Sequence, residues 1–235
     1  MLDLLSFYDI LVVSILFTCR RDVGMTEGQQ EQQQDQQKQI EDIKKAVENN
    51  EYEKAKNLIN NIKNINMLDT DGYTLLHWAV KNKNEELVKI LLETGNIKVD
   101  TVNKNKKTAL HLAVMLGVDT KIIQLLLNNG ANIDAVDENK KTALHFAAFK
   151  GNIEIVKFLV NSGANIDAVD KNGQTALHFA VSEKKIEIMK FLVDKEANID
   201  IKNKKQQTPY TLARKIEIKD TKKEMTMAKY LLQKK

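Results

Sequence analysis

The chain has little of what usually punctuates or staples a fold. It holds one cysteine, Cys19, and one proline in 235 residues, with nine glycines and 6% aromatics. A single cysteine excludes an internal disulfide framework and any zinc or iron–sulfur site built from several thiolates. A reducing compartment, the cytoplasm, is therefore expected. So few turn residues exclude a sandwich or barrel of many short strands, and favour helices joined by short connections. An excess of one charge is also lacking, because 36 Lys and Arg against 32 Asp and Glu leave a net +4. That is too mild to imply a nucleic-acid partner. No glycine-rich phosphate loop, Gly-x-Ser-x-Gly elbow or metal-spaced His/Glu cluster occurs, so no catalytic residues, no metal and no cofactor are expected.

One long apolar run is present, and it is imperfect. Residues 1–19, MLDLLSFYDILVVSILFTC, are interrupted by Asp3 and Asp9 and closed by Arg20 and Arg21. A secretory signal would want Lys or Arg before the run and small residues at a cleavage site. The LFTC stretch is a poor lipoprotein box, since Phe17 and Thr18 are large. As a membrane span the run is marginal, because about 20 apolar residues are needed. Inserted, it would leave the downstream chain in the cytoplasm on account of the two arginines. Three readings of the leader at 1–24 stay open: a spurious or disordered leader with Met25 as the start, a targeting or signal segment, and a membrane anchor. Residues 25–39 are glutamine-rich and read as a linker or a frayed helix start.

What the chain has in plenty is itself. TLLH, TALH, TALH and TALH begin at Thr74, Thr108, Thr142 and Thr175, spaced by 34, 34 and 33 residues, and a fifth threonine, Thr208, lies 33 further on. Periods of this size mean stacked supersecondary units. Five residues after each threonine stands a small residue: Ala79, Ala113, Ala147 and Ala180. A turn follows, then apolar pairs such as Leu91 with Leu92 and Leu159 with Val160. Ile153, Val156, Leu159 and Val160 give the second segment one apolar stripe at helical spacing. Gly95, Gly130 and Gly163 follow it where a left-handed closing residue is needed. Each unit thus reads as two short helices and a polar loop, and neighbouring units supply the core.

TALHLAVMLG, TALHFAAFKG and TALHFAVSEK, with TLLHWAVKNK slightly looser, resemble ankyrin repeats, and the resemblance covers about residues 36–235. It implies an all-α fold, an α-solenoid of helix pairs with projecting β-turn fingers. The expected units are a degenerate N-terminal capping repeat at 40–68, repeats at 69–102, 103–136, 137–169 and 170–202, and a C-terminal capping repeat at 203–235. The template places Glu41 at the threonine position of the N-terminal cap, with Ile43, Ala46, Ala55 and the pair Leu58 and Ile59 at its apolar positions. In the C-terminal cap Thr211 stands where histidine belongs, and Leu231 with Leu232 falls late enough to require an insertion around 216–223.

Departures from the family pattern bear on stability. The turn glycine two residues before the threonine is present as Gly72 and Gly173 but is Lys106, Lys140 and Gln206 elsewhere. A non-glycine residue held at positive φ costs about 1 kcal/mol. In the fourth repeat Lys184 and Glu196 replace both expected glycines, so this repeat and the C-terminal cap are expected to fray first.

All four histidines, His77, His111, His145 and His178, occupy one motif position. Adjacent copies in a stack lie roughly 8–10 Å apart, whereas zinc holds its ligands at about 2 Å, so they cannot share a metal. The family resemblance implies a structural role, tying the β-turn to the helix start. Glu85 and Glu86 read as solvated charges favouring a helix N-terminus.

What remains is a surface. In the ankyrin family partners meet the concave face, which corresponds here to positions four, three and one residue before the threonine and seven and eight after it. The finger tips supply Tyr73, Lys104, Lys107, Lys141 and Lys171, and the helices supply Met115, Leu116, Phe149 and Lys150. Apolar residues flanked by charge are the composition of an interface centre with its rim. Phe146 and Phe179 are expected to pack between repeats. The expected function is a non-catalytic, monomeric protein-binding module with an acidic protein partner. Two alternatives stand beside it: a membrane-tethered adaptor anchored by residues 1–19, and a host-directed effector of an intracellular bacterium or virus.

Overall fold

A computed structural model describes residues 27–69, 72–217 and 225–233. The leader at 1–24 lies outside them, as does most of the insertion expected at 216–223. Among the described residues every regular element is a helix. The chain divides into two compact units, at Lys63 and Asn64.

In the first unit, α1 (Glu27–Glu48) and α2 (Tyr52–Asn61) pack on each other across a short turn, where Asn50 takes φ +60°. Ile40, Ile43 and Val47 recur at helical spacing and are buried, as are Ala46, Ala55 and Ile59. The glutamine-rich stretch, read from sequence as a linker or a frayed helix start, is helical from Glu27 onward. Glutamine is a good helix former, and a helix started by the apolar stripe extends at the cost of one residue per added hydrogen bond. Glu41 therefore lies inside a helix and not at the start of one.

The second unit is a stack of helix pairs. The first helices, α3 (Leu75–Lys81), α5 (Ala109–Met115), α7 (Ala143–Lys150), α9 (Ala176–Ser182) and α11 (Pro209–Glu217), pack in series. The second helices, α4 (Glu85–Glu93), α6 (Thr120–Asn128), α8 (Ile153–Asn161), α10 (Ile186–Asp194) and α12 (Met225–Gln233), each pack on their own first helix. The core sits between the two layers, with Leu110, Leu144 and Leu177 from the first and Leu87, Ile123, Ile155 and Ile188 from the second all fully buried.

Local chemistry sets each boundary. Thr74, Thr108, Thr142 and Thr175 have extended backbone and form reciprocal capping boxes with the histidine three residues on. Asn84, Asp119 and Asn152 cap the second helices through their side chains. Lys185, at the same place in the fourth repeat, makes no side-chain cap bond. In the C-terminal unit Thr208 and Thr211 exchange the reciprocal bonds, with the Thr211 hydroxyl accepting the Thr208 N–H at 2.8 Å.

The fingers fold around one Asp or Asn each, half-buried at Asp69 in the first and buried at Asn103, Asp137, Asp170 and Asn203 in the rest. Asp137 Oδ1 accepts the N–H of Asn139 and of Lys141, and Asp170 Oδ1 does the same for Asn172 and Gln174. Turn positions that lack glycine keep the left-handed backbone, with Lys106, Lys140 and Gln206 at φ +54°, +58° and +57°. Adjacent finger tips are joined by single backbone bonds, from Lys171 N–H to the Asn139 carbonyl and from Lys204 N–H to that of Asn172, both at 2.8 Å.

Candidate interaction surface

The histidines are spent on the scaffold. Nδ1 of His77, His111, His145 and His178 accepts the N–H of its own threonine at 3.1–3.2 Å. Nε2 lies 3.0 Å from a carbonyl of the next finger, that of Lys107, Lys141, Gln174 and Gln207 respectively. A carbonyl only accepts, so Nε2 carries the proton and donates it, which leaves Nδ1 unprotonated. Each ring thus joins one helix start to the finger of the following repeat. Burial pushes all four imidazoles below their ordinary pKa, and the carbonyl acceptors offset this only in part. Among the described residues no cluster of three or more His, Cys, Asp or Glu is placed to hold a metal ion.

Aromatic rings and lysines interleave along the same face. Phe146 meets His111 edge-on at 5.9 Å and Phe179 meets His145 at 5.7 Å, each across a repeat boundary. Tyr73 meets His77 edge-on at 5.8 Å within its own repeat, beneath the Lys81 ammonium. Lys107 sits 5.7 Å from the Phe146 ring and 3.3 Å from Asp137 Oδ2, with its side chain only 13% exposed. Burial raises the Asp137 pKa, but the Lys141 and Asn139 N–H groups and the Lys107 ammonium outweigh it and hold the carboxyl below its ordinary value. Lys141 stands 4.8 Å over Phe179.

The residues picked from sequence therefore fall into three environments. Lys107 and Lys141 are half-buried and engaged within the array. Met115 is half-buried, whereas Leu116 and Phe149 are exposed at 39% and 44%, and Lys104, Lys150 and Lys171 are exposed as well. Met115, Leu116 and Lys150 line one open depression of about 460 Å³ between the second and third repeats. Phe149 is not part of its wall and leans edge-on against Phe179 at 6.2 Å.

One set of residues was missed from sequence. Leu68, Val102, Val136 and Val169 are exposed at 46%, 42%, 49% and 47%, each six residues before a repeat threonine. The available signal was an aliphatic residue recurring at a polar-loop position one short of the finger's Asp or Asn. Among the described residues no helix is long and apolar enough to cross a membrane.

Helix pairs stacked in register, each tied to the next by a finger, define a helical repeat protein of the α-solenoid class. The family model for ankyrin repeats in three copies matches residues 43–137 and 117–205, and the chain belongs to the ankyrin-repeat family. Its structure is similar to that of the ankyrin repeat domain of Bcl-3, described as a unique member of the IkappaB protein family. The two share 29% identity, the match covers 68% of this chain and 72% of that one, and the TM-score is 0.65. No curated protein sequence matches the chain. Ankyrin repeats are general protein–protein interaction modules, and the family is typically non-catalytic.

Proposed function

We propose that this chain is a non-catalytic scaffold or adaptor, monomeric and cytoplasmic, that binds an acidic protein partner on the face made by its fingers and first-helix ends. The observation that carries the reading is Phe149, an aromatic side chain 44% exposed at the end of α7. Lys150 follows it in the chain, it leans on the Phe179 ring over which Lys141 stands, and the equivalent residues of the other repeats are Lys81, Met115 and Ser182. The repeat fold does not require an aromatic there. A large exposed aromatic ringed by lysines is the make-up of an interface anchor, and the lysines complement an acidic surface.

The test is affinity capture with the full chain as bait, followed by identification of the captured protein. Phe149→Ala with Leu116→Ala should weaken capture about tenfold or more while shifting thermal unfolding little, since both side chains are exposed. Capture that is insensitive to both substitutions sinks the assignment.

A further inference from the structure

Seven large apolar side chains are exposed among the described residues, and four of them, Leu68, Val102, Val136 and Val169, occupy one register. Chance exposure scatters such residues singly, whereas these form a column with one rung per repeat. The fold fixes their presentation. Each immediately precedes the residue around which its finger folds, and at Val102, Val136 and Val169 that residue, Asn103, Asp137 or Asp170, is buried. The column stops at the last finger, where the same position is Lys202.

Two properties of the column restrict what can cover it. The rungs belong to stacked units, so they repeat at a helix-packing distance of about 8–10 Å. A partner α-helix rising about 1.5 Å per residue returns to the same face every seven residues, about 10.5 Å on. A β-strand presents same-face residues about 7 Å apart, which matches rungs about 9–10 Å apart less well than the helix does. The edges of the column also differ in charge. Toward the tips of the second to fourth fingers stand the exposed lysines Lys104, Lys140 and Lys171, with Glu138 as the one exposed acid among the described residues there. On the other edge the carboxylates of Asp100, Asp134 and Asp167 are engaged, accepting the N–H of Asn132, Asn165 and Asn198 from the next loop.

We propose that Leu68, Val102, Val136 and Val169 dock an amphipathic helix of a partner protein, which carries an apolar stripe at heptad spacing and carboxylates along the edge that meets the finger-tip lysines. The proposal rests on the reading of the array as a protein-binding module, and it adds a second contact line and the conformation of the partner.

The test uses the full chain and three labelled synthetic four-heptad peptides, with binding followed by fluorescence anisotropy. One peptide carries leucines at heptad spacing with flanking glutamates, one replaces the glutamates by lysines, and one keeps the glutamates but has a central proline. The glutamate helix should bind about tenfold or more tighter than either control. Val102→Ser, Val136→Ser and Val169→Ser together should remove that advantage, and the near-isosteric threonine triple variant should do so in part with unfolding unchanged. Equal binding of the three peptides, no binding of any, or indifference to both triple variants overturns the proposal. Leu116→Ala with Phe149→Ala should leave peptide binding intact. The column can therefore fail while capture of the partner still depends on Phe149, and the two readings fall separately.

Discussion

The Lys107 ammonium lies 3.3 Å from Asp137 Oδ2 in the next finger, with the carboxylate almost wholly buried. One repeat on, the same chain positions are Lys141 and Asp170, yet Lys141 lies over the Phe179 ring and Asp170 Oδ2 accepts no hydrogen bond. Two rungs of identical chemistry have therefore settled differently. The second spends its lysine on an aromatic ring that also packs against exposed Phe149.

Lys107→Met should therefore destabilise the array by about 1–2 kcal/mol, because it strands a buried carboxylate that keeps only its two backbone donors. Lys141→Met should cost less, about 0.5 kcal/mol or under, the scale of a partly exposed cation–π contact. Urea unfolding of both variants decides it, and a double-mutant cycle with Asp137→Asn isolates the pair. Equal costs would mean that the two rungs exchange freely in solution.

The histidine ties make stability sensitive to mild acid. Burial holds the folded imidazoles below the ordinary value of about 6.5 that they regain on unfolding. The unfolded chain thus binds protons first as pH falls, so the contribution of the neutral rings is fully present above about pH 6.5 and is lost below it. Urea midpoints should fall from pH 7.5 to 5, at up to about 1.4 kcal/mol per pH unit for each proton taken up. His145→Gln keeps a residue type that can complete a capping box but removes one titrating ring. It should begin less stable and show a shallower pH slope, and parallel slopes would count against the imidazoles as the cause.

Backbone strain at the fingers can be relieved at known places. Lys140 holds φ +58°, which costs about 1–2 kcal/mol relative to glycine, part of it offset by the greater freedom of glycine in the unfolded chain. Lys140→Gly should therefore stabilise by about 0.5 kcal/mol. Gly173→Ala should act in the opposite sense, because φ there is +73° and a Cβ would stand 3.2 Å from Asn203 Cα. Calorimetric midpoints of the two variants that moved in the same direction would contradict this account.

The repeat threonines and histidines made the architecture legible before any coordinates, since one period carried helix starts, core register and finger position together. Phe146 and Phe179 were legible for the same reason, both falling on an inward motif position. What escaped depends on partners across repeats. Lys107 and Lys141 read alike as rim charges, because the group that engages each, Asp137 for the first and Phe179 for the second, lies a full repeat on. The glutamine-rich stretch stayed open between a linker and a frayed helix start, because a glutamine run is helix-permissive yet has no apolar period to decide it. The aliphatic column escaped because the template takes its partner positions from finger tips and helix ends, the nearest of them, Lys104 and Glu138, two residues beyond Val102 and Val136.

The fourth repeat should open before the second and third. Its second helix starts at Lys185 without a side-chain cap, whereas Asn84, Asp119 and Asn152 supply one elsewhere. Lys184 and Glu196 also hold φ +55° and +63° in place of the expected glycines. A missing cap costs about 1 kcal/mol and each strained residue about as much, in a stack whose end units have a neighbour on one side only. Native-state hydrogen exchange should therefore show protection falling from α5–α8 to α9–α10 and lowest in α11. Lys185→Asp, which restores a capping side chain, should raise protection across α10 by about 1 kcal/mol and leave α5 unchanged. Uniform protection along the array, or no local response to the restored cap, would show that the stack unfolds as one cooperative block.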